Sequence, residues 1–198
     1  MKTLYKSEQS GRSMVEMLGV LAIIGVLSVG GIAGYSKAMS KFKLSKVMDQ
    51  VSMTVANVRT LYSGQPNYKG LTTQVAIQMG AIGAEMLNGE KTTSATNAYN
   101  AFNGKVFVEA DQDNRSFWVT FTGLGKEACV ALGSSDWGSG SGSGLIGVGV
   151  ADKGEAALKQ LPANSGTTAA ASLPLSLATA AQGCNSSGDT NVVVWNYN

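Results

Sequence analysis

The chain has 198 residues, a formal net charge of +2, two cysteines and no histidine. That length suits one modest domain, or a domain with an appendage, and a charge so near zero supplies no field for holding nucleic acid. Without histidine there can be no His-dependent triad, no His-ligated zinc and no imidazole proton shuttle; two cysteines alone do not build a four-cysteine metal site.

With 44% apolar and only 14% charged residues, the chain is not a disordered polyelectrolyte. The apolar residues are concentrated at one end. Residues 17–34 read MLGVLAIIGVLSVGGIAG, 18 positions without a charge, which is the threshold for a membrane-spanning helix. Lys2, Lys6 and Arg12 precede the run, with Glu8 the one acid among them. A short basic head before an apolar run is the layout of a secretory signal, and it favours a cytoplasmic N-terminus with the remainder sent across. A signal-peptidase exit of small residues could be forced onto positions 31–33. A cut there would break a helix that runs on into YSKAMSKFKLSKVMDQVSMTVANVRTLY without a turn signal.

Glu16 stands one residue before the apolar run. At a bilayer centre a carboxylate costs roughly 2.5–3.5 kcal/mol, and less among headgroups. Its neighbours give it a sharper reading. Gly11 is the first glycine of the chain, and Glu16 is the fifth residue counted from Arg12. The stretch SGRSMVEMLGVLAIIGVLSVGGIAGY therefore resembles the class III signal of type IV pilins: a glycine at the cut, a glutamate at mature position five, and a long apolar helix behind it. Arg12 occupies a position where that family mostly carries an apolar residue, and the 11-residue leader is intermediate between the family's short and long types.

The resemblance implies that a prepilin peptidase cleaves between Gly11 and Arg12 and N-methylates Arg12, leaving the apolar segment on the mature chain. In a filament core of packed helices, the Glu16 carboxylate needs a partner in low dielectric. The α-amino group of Arg12 in an axially offset neighbour supplies one, and such a pair would set the stagger between subunits. Glycines 19, 25, 30, 31 and 34 each cost about 0.5–1 kcal/mol relative to alanine in a helix interior, but permit close helix approach in a membrane. The same resemblance implies that the helix loosens at Gly30-Gly31 on assembly.

Beyond Gly34, apolar residues fall at Tyr35, Met39, Phe42, Val47, Val51, Val55, Val58 and Tyr62, mostly three or four apart, as on one helix face. Lys37, Lys41, Lys43 and Lys46 lie just past the apolar run, where lysines snorkel to headgroups or anchor orientation. Ser63-Gly64-Gln65-Pro66 stops the helix. From about Arg12 to Tyr62 it would be on the order of 75 Å long, longer than a compact domain accommodates.

In the remainder, residues 71–87 (LTTQVAIQMGAIGAEML) read as a short helix, Asn88-Gly89 as a turn and residues 92–103 as a polar loop. Residues 105–110 (KVFVEA) and 116–122 (SFWVTFT) read as strands joined by a hairpin turn at 111–115. Asp111 and Asp113 suggest a calcium loop only superficially: the glycine and distal glutamate of that pattern are missing, so they read as solvated turn acids. Residues 125–132 (GKEACVAL) read as a short helix carrying Cys129. Residues 134–144 (SSDWGSGSGSG) are low-complexity; they lack the Lys-Ser/Thr ending of a phosphate cradle. Residues 156–161 read as a helical turn, the Ala/Thr/Ser stretch 163–181 is ambiguous, 173–181 reads as a short helix running toward Cys184, and 191–197 (NVVVWNY) as a closing strand.

Exported thiols can oxidise, and a Cys129–Cys184 bridge would be worth roughly 4 kcal/mol by chain entropy. The spacing is not that of a redox CxxC pair. FTGLGKEACVAL and the cysteine-bounded C-terminal loop resemble the type IVb subclass. The reading is thus an α+β type IV pilin fold: a leader 1–11, an apolar helix 12–34, an amphipathic continuation 35–62, and a head 63–198 with an antiparallel sheet and a disulfide-bounded loop. The resemblance implies a non-enzymatic filament subunit without metal or cofactor. Its partners would be copies of itself, the prepilin peptidase, an assembly ATPase with its platform, and the inner membrane before export to the cell surface. A pseudopilin of a secretion system shares the signal and helix, though such heads usually lack a long disulfide loop. A single-pass anchor with an exported head is the reading from another class.

Overall fold

A computed structural model describes residues 14–138, 142–167 and 173–198. Gly11 and Arg12, with the cleavage expected between them, lie outside the described residues, as does the middle of the Gly/Ser stretch. A helix, α1, spans Met14–Tyr62. The chain divides into two compact units, one ending at Lys41 and one comprising Phe42–Asn198. The first contributes the apolar part of α1.

The second unit builds a hydrophobic core. Val47, Val51, Val55 and Val58 of α1, three or four residues apart, are buried in it as the sequence pattern predicts. Gln50 and Thr54 are buried on the same part of the helix, which the apolar pattern alone does not mark. Three polar side chains of α1 each hold a different segment of the head. Gln50 Oε1 accepts from the Ala101 N–H at 3.2 Å, Asn57 Nδ2 donates to the Ala81 carbonyl at 3.2 Å, and Arg59 donates to the carbonyls of Ser143 and Asn198.

The described residues form a six-stranded antiparallel sheet from β1 (Ala98–Tyr99), β2 (Lys105–Ala110), β3 (Phe117–Leu124), β4 (Leu145–Ala151), β5 (Asn164–Thr167) and β6 (Asn191–Tyr197), in the spatial order β1-β2-β3-β6-β4-β5. The predicted strands β2, β3 and β6 are present, with the turn between β2 and β3 where it was expected. The C-terminal strand β6 lies between β3 and β4, so the end of the chain is the middle of the sheet. Its register, Val119↔Trp195 with β3 and Val148↔Trp195 with β4, places Trp195 at the centre of the core face, at ring contact with Phe121 (5.7 Å) and Trp137 (5.0 Å).

Several local expectations are corrected. Residues 71–87 do not form one helix: α2 covers only Thr73–Gln78, and a 3-10 turn follows at Ala84–Met86. Gly80 adopts φ +74°, a left-handed conformation that ends α2. The polar stretch 92–103 is not all loop, because Ala98–Tyr99 pairs with β2. Past this two-residue strand, the edge of β2 is closed by the start of α2. Val108 N–H donates to Thr73 Oγ1 at 3.0 Å and Ala110 N–H to the Leu71 carbonyl at 3.1 Å, so main-chain donors that would template another strand are used.

Residues 156–161 are not a helical turn. They belong to a crossing segment between β4 and β5 that lies over the outer face of the sheet. Leu158 N–H donates to Thr120 Oγ1 of β3 at 3.2 Å, and Lys159 Nζ is 2.6 Å from Glu109 Oε2 of β2. Tertiary partners thus replace the helical hydrogen bonds. The segment sits close because β4 carries glycines beneath it: a Cβ on Gly147 would lie 2.7 Å from Leu161 Cδ1, and one on Gly149 would collide with the Pro162 ring. The last helix is also displaced from the expected 173–181. It is α4, Leu177–Gly183, and it starts where the Ser176 hydroxyl accepts the Thr179 N–H at 3.1 Å.

Candidate functional site

Two features bear on function: the apolar segment of α1 and the disulfide-closed part of the head, whose two cysteines belong to the core. Helix α1 is long and apolar enough near its N-terminus to cross a membrane. Val15, Leu18, Leu21, Ile24, Val26 and Val29 are all more than half exposed. With Ile23, Leu27 and Ile32, also more than half exposed, these positions surround the helix rather than marking one stripe, so no single packing face would cover them. Each such side chain gains about 1.5–3 kcal/mol when fully buried, so this surface requires lipid or other protein. The glycines agree with that. Among the described residues, a Cβ added at Gly19, Gly25, Gly30, Gly31 or Gly34 would meet nothing within 4 Å, so their small size serves no packing there.

Glu16 occupies the first turn of α1 and is exposed.

In the head, α3 (Lys126–Ser134) carries Cys129, and Cys184 follows α4 directly. The two are joined in a disulfide with Cα atoms 5.9 Å apart, and both are fully buried. The bridge ties α3 to α4 over Val150 of β4. A Cβ on Gly133 would lie 2.6 Å from Val150 Cγ1, and one on Gly183 would lie 2.9 Å from the Val150 carbonyl oxygen. Both helices therefore reach the strand only through glycine. Past the bridge, Asn191 fastens the loop leading into β6: its Nδ2 donates to the Leu124 carbonyl at 3.0 Å and its Oδ1 accepts the Ser186 N–H at 3.0 Å.

Asp111 has a structural task. Its carboxylate accepts from Trp118 Nε1 at 2.9 Å and from Ser116 Oγ at 3.3 Å, bracing the β2–β3 hairpin. Asp113 accepts the Arg115 N–H at 3.0 Å. Among the described residues no three His, Cys, Asp or Glu side chains converge as metal ligands.

The sequence reading missed Arg59. Its position as the basic residue in the last turn of α1 was the available signal. Its guanidinium lies 6.0 Å from the Tyr197 ring centre. Burial pushes the Tyr197 phenol up to about 12, against the opposing pull of the Arg59 charge.

Among the described residues the arrangement thus offers an exposed apolar helical surface and a head stiffened by one staple. Comparison with known proteins places this chain among pilins. The sequence model of the PilS N-terminal family matches residues 42–198. The chain is 29% identical over 196 residues to the major structural subunit of bundle-forming pilus of Escherichia coli O127:H6, covering 98% of this chain and 97% of that one. It is 24% identical over 129 residues to the toxin coregulated pilin of Vibrio cholerae, covering 64% of this chain and 58% of that one. Among solved structures, a type IVb pilin from Salmonella typhi aligns with a TM-score of 0.54 at 20% identity, over 80% of this chain and 99% of that one. That last likeness concerns the fold.

Proposed function

The chain belongs to the PilS N-terminal family, and from that membership we propose how this type IVb-like pilin, a structural subunit of an extracellular type IV pilus, is processed and assembled. Prepilin peptidase cleaves between Gly11 and Arg12 and methylates the new amino group. Before assembly the subunit is held in the inner membrane by the apolar part of α1. An assembly ATPase and its platform then drive the transfer of that segment from lipid into the filament core, where its side chains repack against other copies.

The observation that carries this reading is the exposed apolar surface of α1, with glycines beside which, among the described residues, an added Cβ would meet nothing. Lipid and a bundle of identical helices both satisfy such a surface. The carboxylate of Glu16 then pairs with the α-amino group of Arg12 in a neighbouring copy, because a buried charge left without a partner is strongly destabilising. Mass spectrometry of the mature chain tests the processing step. The reading requires an N-methylated Arg12 as the first residue. A mature chain that retains Met1 favours a permanent single-pass anchor and overturns it.

A further inference from the structure

We propose that Lys37 and Lys41, with Tyr35 beside them, form a binding site for the phosphate headgroups of anionic phospholipid at the C-terminal end of the apolar segment. The proposal rests on the reading that residues 17–34 lie in a membrane before assembly.

The charge pattern is one-sided. Between Glu16 and Asp49 there is no acidic residue, while lysines stand at 37, 41, 43 and 46. Lys37 and Lys41 are both exposed on α1 and four residues apart. At that spacing their side chains leave the same face with Cβ atoms about 6 Å apart, a separation two ammonium groups can close around one phosphate. Among the described residues neither makes an ion pair. Lys43 differs: its ammonium lies 5.8 Å from the Phe102 ring centre and is committed to the head. Tyr35 is 67% exposed and follows the uncharged run directly, the level at which an amphipathic ring sits among headgroups.

A phosphate anion is the common chemistry; the membrane is the source to which the geometry points. Flexible lysines reach the headgroup layer from a helix whose apolar run ends at Gly34, three positions before Lys37. Near an anionic surface each lysine is worth roughly fivefold in affinity, and the pair roughly thirtyfold. The bound lipid would hold the subunit at a fixed depth and would have to be shed on extraction.

The test uses the full chain in non-ionic detergent, with phosphatidylglycerol or phosphatidylcholine added and retained lipid measured by native mass spectrometry. The expected result is retention of phosphatidylglycerol over phosphatidylcholine by at least about fivefold. That preference should disappear in Lys37→Gln/Lys41→Gln and survive in Lys37→Arg/Lys41→Arg, in Lys69→Gln/Lys153→Gln, and in excess inorganic phosphate. Equal retention of the two lipids, an unchanged preference in the double glutamine variant, or displacement by inorganic phosphate would each overturn the proposal. A mature chain with the lipid preference but still carrying its leader would count against the processing scheme alone, so the two failures are separable.

Discussion

Arg59 Nε donates a hydrogen bond to the carbonyl of Asn198 at 3.0 Å, joining the last turn of α1 to the end of the central strand. Its Nη1 donates to the Ser143 carbonyl at 2.6 Å, at the end of the Gly/Ser stretch. One side chain therefore fixes helix, loop and strand together. With one bond exposed and the other part-buried, each is worth about 0.5–1.5 kcal/mol. Arg59→Ala should lower the Tm of the full chain in detergent by roughly 5–10 °C, followed by circular dichroism. Arg59→Lys should fall between, since an ammonium cannot reproduce the planar fork. An unchanged Tm in Arg59→Ala would remove this residue from the account of the head.

Gly183 and Gly25 should respond oppositely to the same substitution. Gly183→Ala drives a methyl group against Val150 and Asn164, and overpacking of this kind costs about 1–3 kcal/mol. Gly25→Ala meets nothing among the described residues, so the unfolding free energy of the head should stay within about 0.5 kcal/mol of the parent. Urea titration followed by tryptophan fluorescence distinguishes the two.

The disulfide closes a loop of sequence separation 55. Chain-entropy arithmetic for a loop of that length gives roughly 4 kcal/mol. The double variant Cys129→Ala/Cys184→Ala should lose an amount of that order in denaturant unfolding, and the parent should lose it only when reductant reaches the buried sulfurs. A double variant as stable as the parent would mean that the packing of α3 and α4 on Val150 holds the loop by itself.

The buried Tyr197 gives the head an alkaline limit. Its phenol is pushed up from 10.0 to about 12, mainly by burial. The unfolded chain therefore releases this proton at lower pH than the folded one. The stability it confers is present in full below pH 10 and is lost as pH rises toward 12, by on the order of 2 kcal/mol. Tyr197→Phe should flatten that part of the curve in denaturation midpoints measured between pH 9 and 12. A curve as steep as the parent's would assign the alkaline loss to other groups.

Much of the fold was legible because its signals are local. The valines at 47, 51, 55 and 58 mark the buried face of α1, and alternation in β2, β3 and β6 marks strands. What escaped depends on contacts distant in sequence. β4 was missed because Gly147 and Gly149 dilute its strand character, and their reason for being glycine, the chain crossing above at Leu161 and Pro162, is visible only in three dimensions. The stretch 156–161 looks helical by composition, yet its backbone is held by Thr120, some 38 positions earlier. The candidate site divides in the same way. Cys129 and Cys184 could be paired because they are the only two cysteines and resemble a known loop. Arg59 carries no motif, and its contacts with Ser143, Tyr197 and Asn198 all lie 84 or more positions later in the chain.

The most direct test of the central claim examines filaments sheared from the surface of cells expressing this chain. The account predicts that they contain it with residues 14–41 still attached, and that Glu16→Ala reaches the membrane but yields few or no filaments. A chain that stays in the membrane fraction of cells competent for assembly, or filaments built equally well by Glu16→Ala, would contradict assembly through the N-terminal helix.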